Sequence, residues 1–81
     1  MDSDQREIIA KLAKNHCIGK HHITEPNLLK SLPKHRQNQY KTTLNQLVKQ
    51  NYIIKHPTEH GWAYSINQKR IKEILEIINS A

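Results

Sequence analysis

The apolar residues of this chain change their spacing twice, at Tyr52 and again at Asn67. Before Tyr52 they recur every three or four residues, which is typical of amphipathic helices. From Tyr52 to Ile66 the residues are rich in β-branched and aromatic side chains, as in strands, and the turn-forming run at 57–61 divides this stretch into a hairpin. After Asn67 the helical spacing returns. The chain is therefore predicted to be mostly α with a small β-hairpin, an α+β fold.

Residues that favour helix caps and turns indicate where the predicted elements begin and end. Asp4 and Glu7 have the spacing of a capping box, and Gly19 is the expected stop of the first helix. Thr24 suits the start of the second helix and Asn51 the end of the third, since Asn tolerates the left-handed conformation. The predicted elements are a helix over 4–16, a turn or very short strand at 21–23, a short helix after Thr24, a helix over 34–50, strands over 52–56 and 62–66, and a helix over 68–79.

The length of the chain limits how many domains it can form. With 81 residues, a single domain over 1–81 is predicted. The apolar positions of its helices and strands should meet in one core. The predicted members of that core are Leu12, Leu28, Tyr40, Leu44, Leu47, Ile53 and Ile66.

The charge of the chain favours a polyanionic partner. Thirteen Lys and Arg residues stand against seven Asp and Glu residues, which gives a formal net charge of +6. The predicted helix 34–50 contains no acidic residue, whereas an ordinary solvated helix face carries Glu and Lys together. Cations at the start of a helix oppose its macrodipole, and a bound phosphate would remove that cost. Such cations are Lys34, His35 and Arg36 in this helix and Lys69, Arg70 and Lys72 in the last one.

The sequence contains none of the common catalytic or metal-binding patterns. It has no Gly-rich phosphate loop and no HExxH motif, and its carboxylates are scattered, so neither an enzyme nor a cofactor is predicted. The single cysteine, Cys17, excludes an internal disulfide, and with the histidines at 16, 21 and 22 it matches no common zinc spacing, so no metal site is predicted. No signal peptide or membrane-length apolar run is found. We therefore expect a cytoplasmic protein that does not bind membranes.

Two stretches of the sequence resemble a known family. One is LNQLVKQNYIIK at 44–55, where a polar helix passes through Asn51 into a strand, and the other is WAYSIN at 62–67. Together with the order helix, short strand, helix, helix, hairpin, helix, they resemble the winged-helix branch of the helix-turn-helix proteins, as found in small prokaryotic and archaeal transcription regulators. The resemblance covers nearly the whole chain. It implies a winged helix-turn-helix fold, sequence-specific binding of double-stranded DNA and, with that binding, association with the nucleoid.

The resemblance also implies how the DNA would be bound. Helix 34–50 would enter the major groove, which is wide enough for a helix, and hairpin 52–66 would form the wing. Amides and a hydroxyl on the outer side of the helix would contact base edges. These residues are Asn38, Gln39, Thr42 and Asn45. The phosphates would be contacted by Lys34, His35, Arg36 and Lys41 from the helix and by Lys55 and His60 from the wing.

Two other functions are considered beside duplex binding. Winged helices also act as protein-binding modules in larger replication and transcription assemblies, and such a module would expose apolar anchors on helix 34–50. RNA or single-strand binding is disfavoured, because base stacking needs exposed aromatic rings. The four aromatic residues are all expected in or near the core: Tyr40, Tyr52, Trp62 and Tyr64.

The last helix is the predicted dimer surface. Its apolar stripe includes Ile74, Ile77 and Ile78 and is wider than packing on a small core requires. A homodimer formed through this stripe would place two recognition helices on neighbouring turns of the major groove.

Overall fold

The first helix, α1, spans Ser3–Lys14 and begins with a capping box. A computed structural model describes residues 1–79, so residues 80 and 81 of the predicted domain lie outside the described range. The Asp2 carboxylate accepts a hydrogen bond from the Gln5 backbone at 2.8 Å, and the Gln5 side chain accepts one from the Asp2 backbone at 3.2 Å. The predicted capping pair, Asp4 and Glu7, is therefore wrong by two residues. Both of those carboxylates bind residues of later elements instead.

The left-handed turn that ends α1 falls on His16 and not on Gly19. His16 has a φ of 56°, its N–H donates to the Ala13 carbonyl at 3.0 Å, and the Cys17 N–H donates to the Leu12 carbonyl at 2.9 Å. These two bonds form a Schellman motif, which satisfies carbonyls at the end of the helix. Gly19 also has a positive φ, of 65°, but it lies in the next turn. The predicted helix therefore ends two residues too late, and the prediction of Gly19 as its stop is wrong.

A two-residue strand and a short helix follow α1. Strand β1 is Ile23–Thr24, which begins two residues and ends one residue later than the turn or short strand expected at 21–23. Helix α2 is Glu25–Lys30, and Thr24 occupies its N-cap position, as predicted, although its side chain forms no capping hydrogen bond. Pro26 lies in its first turn, where the missing N–H costs no helical hydrogen bond.

Helix α3 spans Gln37–Lys49 and is the element on which the predicted interface depends. A 3₁₀ turn over Lys34–Arg36 precedes it, so the predicted helix 34–50 is α-helical only from Gln37. The turn is tighter than an α-helix because the Arg36 N–H bonds the Pro33 carbonyl, three residues earlier, at 3.2 Å. The residue that stops the helix is Asn51, as predicted, two positions after Lys49. Asn51 has a φ of 63°, and the backbone bonds around it complete a second Schellman motif.

The hairpin has longer strands and a shorter loop than the sequence predicts. Strand β2 is Ile53–Thr58 and β3 is Gly61–Ile66, so the two-residue loop 59–60 connects them. Pro57, predicted in the turn, lies in β2 opposite Trp62. Gly61 has a φ of 104°, a backbone conformation that residues with a Cβ rarely adopt.

Strand β3 is central in the sheet formed by residues 1–79. It pairs antiparallel with both neighbours, in the order β1-β3-β2. Its two faces are both covered: Tyr64 and Ile66 belong to the core, and Ser65, on the opposite face, donates a hydrogen bond to the Gly19 carbonyl at 2.9 Å. The larger apolar residues of β3 alternate along the strand, as in a strand with one side in solvent, yet residues 63–66 are buried on both sides.

Helix α4, Ile71–Asn79, follows a 3₁₀ turn over Gln68–Arg70. Asn67, after which the helical spacing returns, caps this turn and accepts a hydrogen bond from the Lys69 N–H at 3.1 Å. Ile74 is fully buried, whereas Leu75 is 45% exposed. One residue of the predicted dimer surface therefore packs inside the monomer.

The core joins the helices to the sheet. All seven predicted core residues lie in one buried cluster, which confirms that prediction. Leu12 of α1, Leu44 of α3 and Ile53 of β2 are each at most 2% exposed. Residues 1–79 form four α-helices and one three-stranded antiparallel sheet, so the predicted α+β class is confirmed. Over the same range, no helix has the length and apolar character needed to cross a bilayer.

Candidate nucleic-acid interface

The solvent-facing side of α3 is a continuous polar surface. Tyr40, Thr43, Leu44 and Leu47 turn inward at helical spacing and are buried. The opposite side, termed the α3 face, consists of exposed residues: Asn38, Gln39, Lys41, Thr42, Asn45, Gln46 and Lys49. All the residues of α3 that are predicted to contact DNA are therefore accessible to a ligand.

The side chains of the α3 face differ in how free they are to bind a ligand. Gln39 Oε1 accepts a hydrogen bond from Arg36 Nε at 2.9 Å, and Thr42 Oγ1 donates one to the Asn38 carbonyl at 3.2 Å. The Thr42 hydroxyl keeps its capacity to accept a hydrogen bond. Within residues 1–79, the side-chain amides of Asn38 and Asn45 bond no protein atom. These two amides offer both a donor and an acceptor to a ligand.

Arg36 attaches the 3₁₀ turn before α3 to α1. Its guanidinium forms an ion pair with Asp4 and lies 5.5 Å from the centre of the Tyr40 ring. The Tyr40 hydroxyl donates to the Glu7 carboxylate at 2.8 Å. Burial, and then the bond to Glu7, raises the pKa of Tyr40. Asp4 therefore offsets the charge of one predicted phosphate-binding residue, and both α1 carboxylates help to position α3.

The second basic group, at the start of α4, includes an arginine with a structural role. Arg70 donates to the Gln50 carbonyl at 2.5 Å, pairs with Glu73 and lies 4.1 Å from the centre of the Tyr52 ring. The Arg70 hydrogen bond holds the pKa of Glu73 below its ordinary value. Arg70 thus caps the C-terminal end of α3 and joins it to α4, whereas the lysines at 69 and 72 are exposed.

Lys55 and Trp62 form a pair near the tip of the hairpin. The Lys55 ammonium lies 4.3 Å from the centre of the Trp62 ring, and 46% of Trp62 is exposed. The prediction that all four aromatic residues lie in or near the core is therefore wrong for Trp62. Because alternate residues of a strand share a side, Trp62 lies on the same side of β3 as the buried Tyr64. It precedes Tyr64 by two residues, nearer the tip of the hairpin and beyond the edge of the core.

The tip of the hairpin is held by a threonine. Thr58 Oγ1 donates to the Gly61 carbonyl at 2.6 Å and accepts a hydrogen bond from the His60 N–H at 3.2 Å. The His60 side chain is exposed in the loop, as a phosphate contact requires.

His56 lies in the middle of β2 and not at the tip. Its Nε2 is 2.8 Å from Ser65 Oγ, which itself donates to the Gly19 carbonyl at 2.9 Å. Since the Ser65 proton is used in that bond, His56 Nε2 carries a proton and donates to Ser65. His22 stacks on the His56 ring, with 5.1 Å between the ring centres. Burial, and then the charge of His22, lowers the pKa of His56.

We expect the chain to lose stability as the pH falls below about 6.5. In the unfolded chain His56 has its ordinary pKa of about 6.5, and in the folded chain its pKa is lower. The unfolded chain therefore binds the proton first, so the free energy of unfolding decreases from about pH 6.5 down to the folded-state pKa. Thermal melting across this pH range measures the loss. His56→Gln should flatten the profile, and His60→Gln, at an exposed histidine, should not; a steep profile in His56→Gln would contradict this assignment.

The cluster around Cys17 does not form a metal site in the described part of the chain. Cys17 is buried, and its thiol donates to the Asn15 carbonyl at 3.6 Å. Burial raises the pKa of the Cys17 thiol. His16 lies in the left-handed turn after α1, and His22 stacks on His56. Among residues 1–79, no three His, Cys, Asp or Glu side chains are placed to hold a metal ion.

The ten predicted contact residues lie on two parts of the structure. Two belong to the hairpin, Lys55 and His60. Eight belong to α3 and the turn before it: Lys34, His35, Arg36, Asn38, Gln39, Lys41, Thr42 and Asn45. Comparison with protein-family models, with curated proteins and with solved structures finds no match to this chain.

Proposed function

We propose that the chain is a winged-helix domain that binds double-stranded DNA, with α3 in the major groove and the β2–β3 hairpin as the wing. The observation that carries the proposal is the α3 face, whose exposed side chains are amides, a hydroxyl and lysines, with no acidic residue from 34 to 50. Lysines attract phosphates of any sequence, and amides can pair with base edges. With 13 residues, α3 is about 20 Å long, enough to lie across a groove about 12 Å wide.

The order and packing of the elements support the winged-helix assignment. Helices α1, α2 and α3 contribute to one buried cluster, and α3 leads directly into the hairpin. Strand β1 adds to the hairpin as the third strand of the sheet. This arrangement leaves one side of α3 in solvent while its other side is held by the core, as a recognition helix requires.

The exposed residues divide into groups suited to phosphates and groups suited to bases. We assign Lys34, Lys41 and Lys55 mainly to phosphates, since their charges lie outside the ion pairs formed within residues 1–79. Arg36 contributes less to phosphate binding than its position suggests, because Asp4 offsets its charge. The residues assigned to base edges are Asn38 and Thr42, followed by Gln39 and Asn45.

Selection of bound duplexes from a random pool, at a stated salt concentration, tests the proposed function. An enriched motif is the expected result for a transcription regulator that reads sequence. Retention of duplexes without an enriched motif would indicate that the chain binds DNA without a sequence preference. Failure to retain any duplex would overturn the proposal.

Lys34→Ala should weaken binding to all duplexes to a similar degree. A phosphate contact releases about one counterion, so the slope of log K against log salt concentration should fall by about 1. Fluorescence anisotropy at several salt concentrations measures this slope. Lys14→Ala removes the same charge from the exposed end of α1 and should change the slope less. Equal slopes for the unaltered chain and Lys34→Ala would remove Lys34 from the interface.

A protein-binding role is the main alternative, and the exposed residues of α3 do not favour it. A docking helix buries apolar anchors in its partner. In α3 the apolar side chains point into the chain's own core: Tyr40, Leu44 and Leu47 are fully buried and Val48 is half-buried. If no duplex were retained in the selection, this alternative would replace DNA binding.

The homodimer stays a prediction, with a changed set of candidate residues. Ile74 is fully buried in the monomer and is not available to a second copy. Ile78 packs partly on the core, and the most exposed apolar side chain of α4 is Leu75. A palindromic motif in the duplex selection would support two copies, since the symmetry of a site mirrors that of a dimer.

A further inference from the structure

Trp62 presents an exposed aromatic ring with a cation over one of its faces. It is 46% exposed, whereas Tyr40 and Tyr64 are at most 1% exposed. Lys55 Nζ lies 4.3 Å from the ring centre. The register pairs Pro57 with Trp62 and Lys55 with Tyr64, so all four side chains are on one side of the hairpin. The ring is carried by a paired strand, which gives it a defined orientation.

The core does not account for this ring. Within residues 1–79, Trp62 belongs neither to the buried cluster nor to the half-buried residues packed against it. Ile54, the other exposed apolar residue of the hairpin, is 38% exposed and lies on the opposite side, in register with Ser65. The two exposed side chains therefore do not form one apolar patch.

An aromatic ring with an adjacent ammonium group suits a nucleotide whose base is accessible. The Lys55 ammonium lies over one face of the ring, so a base would stack on the other face, and the ammonium attracts phosphates of the same strand. Inside an intact duplex, each base face is covered by the neighbouring base pair. A ring on the outside of the duplex can therefore stack only on the terminal pair of a blunt end or on an unpaired base. An unpaired base is free to turn toward the ring, whereas the terminal pair is fixed in the duplex, so the unpaired base is the better partner.

We propose that the Trp62–Lys55 pair of the wing stacks on an unpaired base, so that the chain prefers duplex DNA with a single-stranded extension over blunt duplex. The inference rests on the proposed DNA binding and adds to it a second class of contact. The α3 face binds the duplex, and the wing binds the first unpaired nucleotide beyond it.

Binding to three kinds of labelled DNA tests this inference. They are a blunt duplex, the same duplex with a short single-stranded thymidine extension at one end (the 3′ and the 5′ extension measured separately), and a single strand of thymidines alone. The extension should tighten binding about 5- to 150-fold, which corresponds to the 1–3 kcal/mol of one stacked base. Trp62→Ala should lose this gain, and Trp62→Phe should keep most of it because the ring remains. Ile54→Ala is the matched control and should keep the whole gain.

The fluorescence of Trp62 gives a second readout that needs no variant. It is the only tryptophan of the chain, so its emission reports stacking directly. Stronger quenching by the extended duplex than by the blunt duplex is the expected result. Equal affinity for both duplexes with unchanged emission would overturn the inference and leave duplex binding intact. Quenching by the single strand without duplex binding would support stacking and overturn the proposed function, and binding to none of the DNAs would overturn both.

Discussion

Leu44→Ala is expected to destabilise the folded chain by about 2–5 kcal/mol, the usual range for truncation of a buried leucine. Leu44 is fully buried on the inner side of α3, in the cluster that joins the helices to the sheet. The loss combines the missing apolar contacts with the cavity left behind. A chain of 81 residues has a free energy of unfolding of about 4–12 kcal/mol, so a loss at the upper end would unfold much of the population.

Thermal melting with denaturant titration measures the effect of Leu44→Ala. In a domain of this size each kcal/mol lowers the melting midpoint by about 4–8 °C, so a decrease of at least about 8 °C is expected. Leu75→Ala, at a leucine of α4 that is 45% exposed, is the matched control, and its free energy of unfolding should change by less than about 0.5 kcal/mol. Equal midpoints for the two variants would show that Leu44 is not part of a tightly packed core.

Asn38→Ala should lower affinity for the preferred duplex by about 1–3 kcal/mol, and much less for random DNA. The Asn38 side chain is exposed on the α3 face, and within the described chain its amide bonds no protein atom. It is therefore free to form two hydrogen bonds with one base, most favourably adenine. Because no charge is removed, the slope of log K against log salt concentration should stay unchanged.

Competition between the selected duplex and random duplex measures the loss of specificity in Asn38→Ala. Asn79→Ala removes the same amide from an exposed position on α4 and should affect neither duplex. A uniform loss on both duplexes would make Asn38 a backbone contact. If neither Lys34→Ala nor Asn38→Ala changed binding to any duplex, α3 would not be the recognition helix.

Patterns between neighbouring residues were enough to predict most of the secondary structure. The change of spacing at Tyr52 and its return at Asn67 located the hairpin and the helix after it, because helices and strands place side chains at different periods. Asn51 was recognisable as the end of α3 because few residue types adopt a positive φ. The predicted capping pair of α1 was wrong by two residues, since Asp2 with Gln5 and Asp4 with Glu7 have the same spacing.

The accessible part of the candidate interface was also predictable from local sequence. The inward positions of α3 follow from helical spacing, so the exposure of Asn38, Thr42 and Asn45 on its other side follows as well. The sequence did not reveal that Arg36 pairs with Asp4, because the two residues are 32 positions apart and no short motif links them.

Contacts between distant segments account for the remaining differences. Ile74 was predicted at a dimer surface and is buried, because α4 packs against α1 and turns that side inward. Trp62 was predicted near the core and is exposed, although it shares a side of β3 with the buried Tyr64. Alternation along a strand determines which side a residue faces, but how far the core extends along that side depends on where the helices end. The exposed ring proposed to stack on a base is therefore a property of the packed structure, whereas the polar face of α3 is already present in the sequence.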